Sequence, residues 1–217
     1  MNLGKIKPMF AVPFYEGVVQ VSDELVDSVK GLEYYRFPAG NGYSTIDQNL
    51  HRHDNSNIRN VIDKISRHRD YYVHSVMGVP TEVQLEIMSC WAVKHDVNDW
   101  AQAHLHRGSA LTGILYLRCD DKSGDITFEV PGWNQFLPDV FYMRTTPNEY
   151  NAREITITPQ QGDLFIFPGF LKHRVSENLS DQDRYVLVFD LFPTGNFIHG
   201  LENIMKLSAC NESYSIR

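Results

Sequence analysis

His104-Leu105-His106 places two imidazoles at i and i+2. Such positions point to the same side of a β-strand, so a strand here would make the rings converge. His173 comes far downstream, after an apolar run over 164–167 and the turn Pro168-Gly169-Phe170, where a jelly roll can return it to the first pair. Three neutral imidazoles suit iron, copper, nickel or zinc and leave open coordination positions, which a catalytic metal needs. Residue types alone do not choose among these metals. Arg184 follows, at the head of the apolar run 185–191. Its guanidinium is an always-charged fork that can grip a carboxylate through two parallel hydrogen bonds. A surface ion pair is the plainer role for such a residue, but the apolar strand behind it favours a place near a barrel mouth. A lone histidine is usually a satisfied polar group; the order of these residues along the chain sets them apart.

The elements that must carry these residues can be read from spacing. Ser22 has the character of an N-cap for a helix with Leu25, Val26, Val29 and Leu32 on its apolar side, ending near Gly31 and Gly40. From Asn57, the residues Ile58, Val61, Ile62, Ile65, Tyr72 and Val73 recur at close to 3.6, opposite Arg59, Lys64, Arg67 and Arg69, until Gly78 and Pro80. Beyond Pro80 the period changes to two. Val83, Leu85, Ile87, Trp91 and Val93 alternate as in a half-buried strand, and further strands are expected over 111–118, 125–129, 154–158, 163–167 and 184–192. The fold class expected is mostly β with N-terminal helices: a double-stranded β-helix, or cupin-like jelly roll. The expected organisation is one domain over 1–217, with helical support from 1–80, a β-helix core over 81–195 and a C-terminal segment over 196–217. Residues 131–153, with Trp133, Phe136, Phe141, Tyr142 and Tyr150, are too long for an ordinary hairpin loop and could act as a lid or as a small satellite core.

Composition narrows the classes further. Hydrophobic residues make up 42% and charged residues 22%, enough apolar material for a sizeable core. A net charge of −7, from 20 basic and 27 acidic residues, argues against a protein whose affinity comes from neutralising nucleic-acid phosphates. The cysteines, Cys90, Cys119 and Cys210, are odd in number and widely spaced, which points to a reducing compartment rather than a disulfide framework. No run approaches the roughly 18 apolar residues of a membrane helix. The expected setting is the cytoplasm.

Between residues 99 and 192 the motifs come in a recognisable series. Thr112-Gly113-Ile114-Leu115-Tyr116-Leu117 resembles a T-x-x-x-Y-L strand, Ser123-Gly124-Asp125-Ile126-Thr127-Phe128 a G-G-x-T-x-F hairpin, and Pro159 to Phe167 a P-x-x-G-x-x-x-x-F turn and strand. With His104, His106, His173 and Arg184, the series resembles the prolyl-4-hydroxylase-like branch of the 2-oxoglutarate and iron(II)-dependent oxygenases. It also resembles a group of such oxygenases, found among phages and bacteria, that carry H-x-H. The resemblance implies iron(II) as cofactor with 2-oxoglutarate and O2 as co-substrates, His104, His106 and His173 as metal ligands, Arg184 at the 2-oxoglutarate tail, and hydroxylation of an unidentified substrate. Tyr116 is a candidate second donor to the co-substrate, and equally a plain core tyrosine. One departure matters: His106 stands where the family has a carboxylate, so the metal would carry one more positive charge.

Two rivals remain open on sequence. A three-His dioxygenase would bind its organic substrate directly to iron and do without 2-oxoglutarate; a binding or structural module would hold a structural metal or none. The substrate expected is a peptide side chain or a small molecule, with nucleic acid less favoured, and the oligomeric state is open, although the basic helix near Arg59 to Arg69 offers a contact face. His51-Arg52-His53-Asp54, His68, His74 and His95-Asp96 read mostly as decoys, and Asp125 reads as a turn residue.

Overall fold

Ser22 accepts a hydrogen bond from the Leu25 N–H to start α1 (Asp23–Lys30), and Asp23 and Glu24 occupy the first turn, where the helix dipole favours negative charge. Asn55 caps α2 (Ser56–Asp70) by accepting from the N–H groups of Asn57 and Ile58. Ile58, Val61, Ile62 and Ile65 fall on one buried face of α2, as their spacing predicts. Tyr72 and Val73 continue that face from a π-helical turn, Tyr71–Val76, rather than from the α-helix itself. The structure, a computed structural model, describes residues 5, 11–37, 42–132, 146, 148 and 150–194. Gly40, Cys210, the segment 196–217 and most of the proposed lid (133–145, 147 and 149) lie outside the described residues.

Eleven strands among the described residues form two antiparallel sheets. They are β1 (Tyr15–Val18), β2 (Tyr34–Arg36), β3 (Tyr43–Thr45), β4 (Gln84–His95), β5 (Ala101–His104), β6 (Leu111–Arg118), β7 (Ile126–Glu129), β8 (Glu154–Ile157), β9 (Asp163–Pro168), β10 (His173–Val175) and β11 (Arg184–Thr194). The large sheet runs β1-β9-β6-β11-β4-β3-β2 and the small one β5-β10-β7-β8. Two opposed sheets of this kind are the double-stranded β-helix. The first eighty residues are more than helical support, since β1, β2 and β3 complete both edges of the large sheet.

The large sheet is buried on both faces, which explains its nearly continuous apolar strands. Along β11, Tyr185, Leu187, Phe189 and Leu191 pack outward under α1 and α2, while Val186 and Val188 pack inward against β7 of the small sheet. β6 and β9 alternate in the same way: Leu115, Leu117, Leu164 and Ile166 face the helices, and Ile114, Tyr116, Phe165 and Phe167 face the inner core. β4 departs from the half-buried strand its alternation predicts. Its pairing with β11 shifts register between Asp190 and Leu191, and the helices cover its outer residues Ile87, Cys90 and Ala92 while Trp91 and Val93 line the interior. No helix among the described residues is long and apolar enough to cross a membrane.

Candidate metal centre

Strand register assembles the centre. In the small sheet His173 on β10 is directly opposite His104 on β5, so the two imidazoles are a cross-strand pair with ring centroids 4.4 Å apart. His106 lies two residues past the end of β5, not on it. Strand alternation therefore does not bring the two rings together: the chain leaves the ladder, the His106 N–H donates to the Gly169 carbonyl at 2.9 Å, and the ring turns back to 5.4 Å from both other imidazoles. One ring nitrogen from each of the three histidines lies within 4.8 Å of the others.

The outer nitrogens decide which atoms face inward. His104 Nδ1 donates to the Gln102 carbonyl at 2.8 Å, and His173 Nδ1 to the Leu171 carbonyl at 3.0 Å. His106 Nδ1 faces the Asp190 carboxylate at 3.0 Å. Carbonyl and carboxylate oxygens only accept, so each Nδ1 carries the proton and each Nε2 keeps its lone pair for a ligand. Burial, then His104 beside it, depresses the His173 pKa to about 3. Burial likewise lowers that of His104, so both are neutral as metal binding requires. Phe167 and Phe128 wall in the His173 ring, and Trp91 lies nearly parallel to His106 at 6.0 Å. This donor set fits a borderline metal such as iron(II), nickel or zinc.

The inner face of the large sheet forms the floor beneath these rings. Register aligns four rungs across β4, β11 and β6: His95 with Arg184; Val93 with Val186 and Tyr116; Trp91 with Val188 and Ile114; Ser89 with Asp190 and Thr112. Polar groups occupy the first and last rungs, with apolar ones between. Arg184, 1% exposed, lines the same cavity of about 400 Å³ as the three histidines and Tyr116. Its Nη1 donates to the Ser123 carbonyl at 2.7 Å and one Nη2 hydrogen points at His95 Nδ1, while its buried Nε has no partner. None of the described Asp or Glu residues pairs with it.

Sequence reasoning missed two neighbours. His95, set aside as a decoy, accepts from Arg184, and its pKa is pushed down to about 3 by burial first and by that guanidinium second. Asp190 is the acceptor behind His106; burial would raise its carboxyl, but His106 and the hydroxyls of Thr112 and Ser109 hold it below the usual range. Only the spacing of Asp190 was legible in the sequence; the pairing of His95 needed the register. His95 is the strand partner of Arg184, and Asp190 sits at an even spacing from Arg184, so it shares its face. Three other histidines serve local structure: His68 pairs with the Tyr15 hydroxyl, His74 with the Val79 carbonyl, and His53 accepts from the Asn55 N–H, whereas both buried ring nitrogens of His51 lack a hydrogen-bond partner among the described residues.

Residues 89–190, which hold every residue of this centre, match the family described as "Putative 2OG-Fe(II) oxygenase". Over that stretch, a little under half of its length, the chain is similar to the 2OG-Fe(II) oxygenases. Solved structures of similar fold include a Pseudomonas putida prolyl-4-hydroxylase, at 12% identity and a TM-score of 0.56 over 83% of this chain and 92% of that one. HygX from Streptomyces hygroscopicus, solved with nickel and 2-oxoglutarate bound, matches at 12% identity and 0.55 over 84% of each chain. The alpha-ketoglutarate-dependent epimerase SnoN of nogalamycin biosynthesis matches at 18% identity and 0.55, over 91% of this chain and 86% of that one. At these identities the likeness establishes the fold. Curated protein sequences give no significant match.

Proposed function

We propose that this protein is a 2-oxoglutarate-dependent hydroxylase in which His104, His106 and His173 hold iron(II) through Nε2, while Arg184 and Tyr116 receive the far carboxylate of 2-oxoglutarate. The observation that carries the reading is the Arg184 guanidinium: buried, without a carboxylate partner among the described residues, with Nε unsatisfied, in the cavity of the three-imidazole cluster. An unpaired buried charge is costly, so an anionic ligand is the natural partner of this site. Iron(II), when bound, supplies the activation of O2 that couples oxidation of 2-oxoglutarate to succinate and CO2 with conversion of a substrate C–H bond to C–OH.

The protein's own residues bind and orient. His95 fixes the guanidinium from one side and the Ser123 carbonyl from the other, leaving Nε and the fork edge for the co-substrate. Val186, Val188, Ile114 and Trp91 form the apolar floor that keeps water from the reacting centre. The whole chain is read as one oxygenase domain acting on a small molecule or a peptide side chain. A cytoplasmic setting is part of the reading, supported by the free thiols of Cys90 and Cys119.

The test is anaerobic titration of the purified protein with iron(II) and then 2-oxoglutarate, following the visible charge-transfer band, with His106→Ala and Arg184→Ala beside it. A band in the wild type that both variants weaken supports the proposal. Because all three donors are neutral imidazoles, a three-His dioxygenase that needs no 2-oxoglutarate is the second reading. Iron binding without the band, and oxygen uptake without succinate, would establish it instead. Failure to bind iron would sink both.

A further inference from the structure

Each of the three imidazoles has an acceptor behind it, and the acceptors are not alike. His104 and His173 lean on backbone carbonyls, whereas His106 leans on a carboxylate, Asp190 Oδ1, at 3.0 Å. His106 is also the ligand that stands where the family has its carboxylate. Asp190 is built into the floor of the site: it sits on the fourth rung of β11, on the inward face that carries Arg184, Val186 and Val188. The Thr112 hydroxyl donates to its Oδ1 at 2.8 Å, and the Ser89 hydroxyl lies 3.5 Å from Oδ2. None of the described Lys or Arg residues pairs with it, so its charge is directed at His106.

Building on the metal site proposed above, we infer that Asp190 is a positioning residue that supplies, through the His106 ring, the negative charge that the family's third ligand supplies directly. Its carboxylate accepts from Nδ1–H, which fixes the His106 tautomer and ring plane so that Nε2 faces the other two imidazoles. It also makes that imidazole a stronger donor than the two backed by amides. A carboxylate–histidine–metal relay of this kind tunes both affinity and ligand basicity. The exchange of Asp for His in the first coordination sphere is thereby offset one imidazole further out, by a residue of β11.

The test measures anaerobic iron(II) affinity by competition with a chromophoric chelator, together with the ligand-field spectrum of the cobalt(II)-substituted protein. Asp190→Asn keeps shape while removing charge and is expected to weaken iron binding about 10–100-fold, the range typical of such outer partners, and to shift the cobalt bands. Asp190→Glu should recover most of the affinity, and Asp190→Asn added to His106→Ala should cost nothing further. If Asp190→Asn does not fold, Thr112→Val, which frees the carboxylate to rotate, should give a smaller loss in the same direction. Affinity within about twofold of wild type with unchanged cobalt bands in these variants, or an equal loss with and without His106, would overturn the inference and leave the metal site standing. A wild-type protein that binds no iron would overturn both.

Discussion

The anchoring role proposed for Arg184 depends on what surrounds it. A guanidinium in water is one charge among many, but at 1% exposure its hydrogen bonds are made in a medium that screens them little. Hydrogen bonds to charged groups contribute about 1.5–3 kcal/mol, so Arg184→Gln should raise the dissociation constant for 2-oxoglutarate by roughly 10–150-fold, with iron affinity nearly unchanged. Calorimetry on the iron-loaded protein under nitrogen would check both. Its neighbour makes a different prediction. With a folded-state pKa of about 3 against an unfolded value near 6.5, His95 contributes stability only while neutral. That contribution is complete above about pH 6.5 and is lost as the unfolded chain takes up a proton that the folded one refuses, down to about pH 3. His173 has the same sign when no metal is bound. The urea midpoint of the metal-free protein should therefore drop between pH 7 and pH 4.5, and His95→Gln should flatten the drop. An equal slope in that variant would assign the acid sensitivity elsewhere.

At the scale of elements, two glycines separate packing from function. A Cβ on Gly113 of β6 would run into the Phe189 ring on the outer face, whereas one on Gly169, in the turn between β9 and β10, would sit 2.5 Å from the Ser109 carbonyl oxygen and 2.9 Å from that of His106. Overpacking of this kind typically costs about 1–3 kcal/mol. Both Gly→Ala variants should melt earlier, but only Gly169→Ala should also weaken iron binding, because the strained contact is with the loop that aims His106. Thermal melts with and without metal would tell them apart. The same turn shows where sequence reading stops. β6, β9 and β11 were visible as apolar runs such as Ile114 to Leu117 and Val186 to Phe189, with ends within a residue or two of the structure. β5 (Ala-Gln-Ala-His) and β10 (His-Arg-Val) carry no such run. They are strands because each finds a partner in the other, and the pairing that sets His104 opposite His173 is a tertiary fact with no local spacing behind it. The three histidines and Arg184 could be found by motif; Asp190 and His95 needed the register.

The molecule as a whole divides its labour across the large sheet. The outer core beneath α1 and α2 holds Ile58, Ile65, Leu115, Leu187 and Phe189, while the inner core beside the metal centre holds Phe128, Phe165, Phe167 and Val188. Cutting a buried isoleucine to alanine costs about 2–5 kcal/mol. Ile65→Ala should cost the metal-free protein that much while leaving iron affinity within about twofold. The stability gained on adding iron should then be the same in both proteins, about 2.7 kcal/mol when free metal is a hundred times its dissociation constant. A denaturant series with and without iron measures both terms, and a gain that shrinks with the mutation would mean the two faces are not independent. β11 runs between these cores and bears Arg184 at one end of its inner face and Asp190 at the other. It acts as a ruler graduated in pairs: inserting or deleting one residue between them turns one end group outward, and the next permitted spacing differs by about 6.8 Å. On the reading proposed above, where Arg184 meets the far carboxylate of 2-oxoglutarate and Asp190 steadies His106, an oxo-acid one methylene longer falls between the marks, and no single-residue change of length in β11 would fit it.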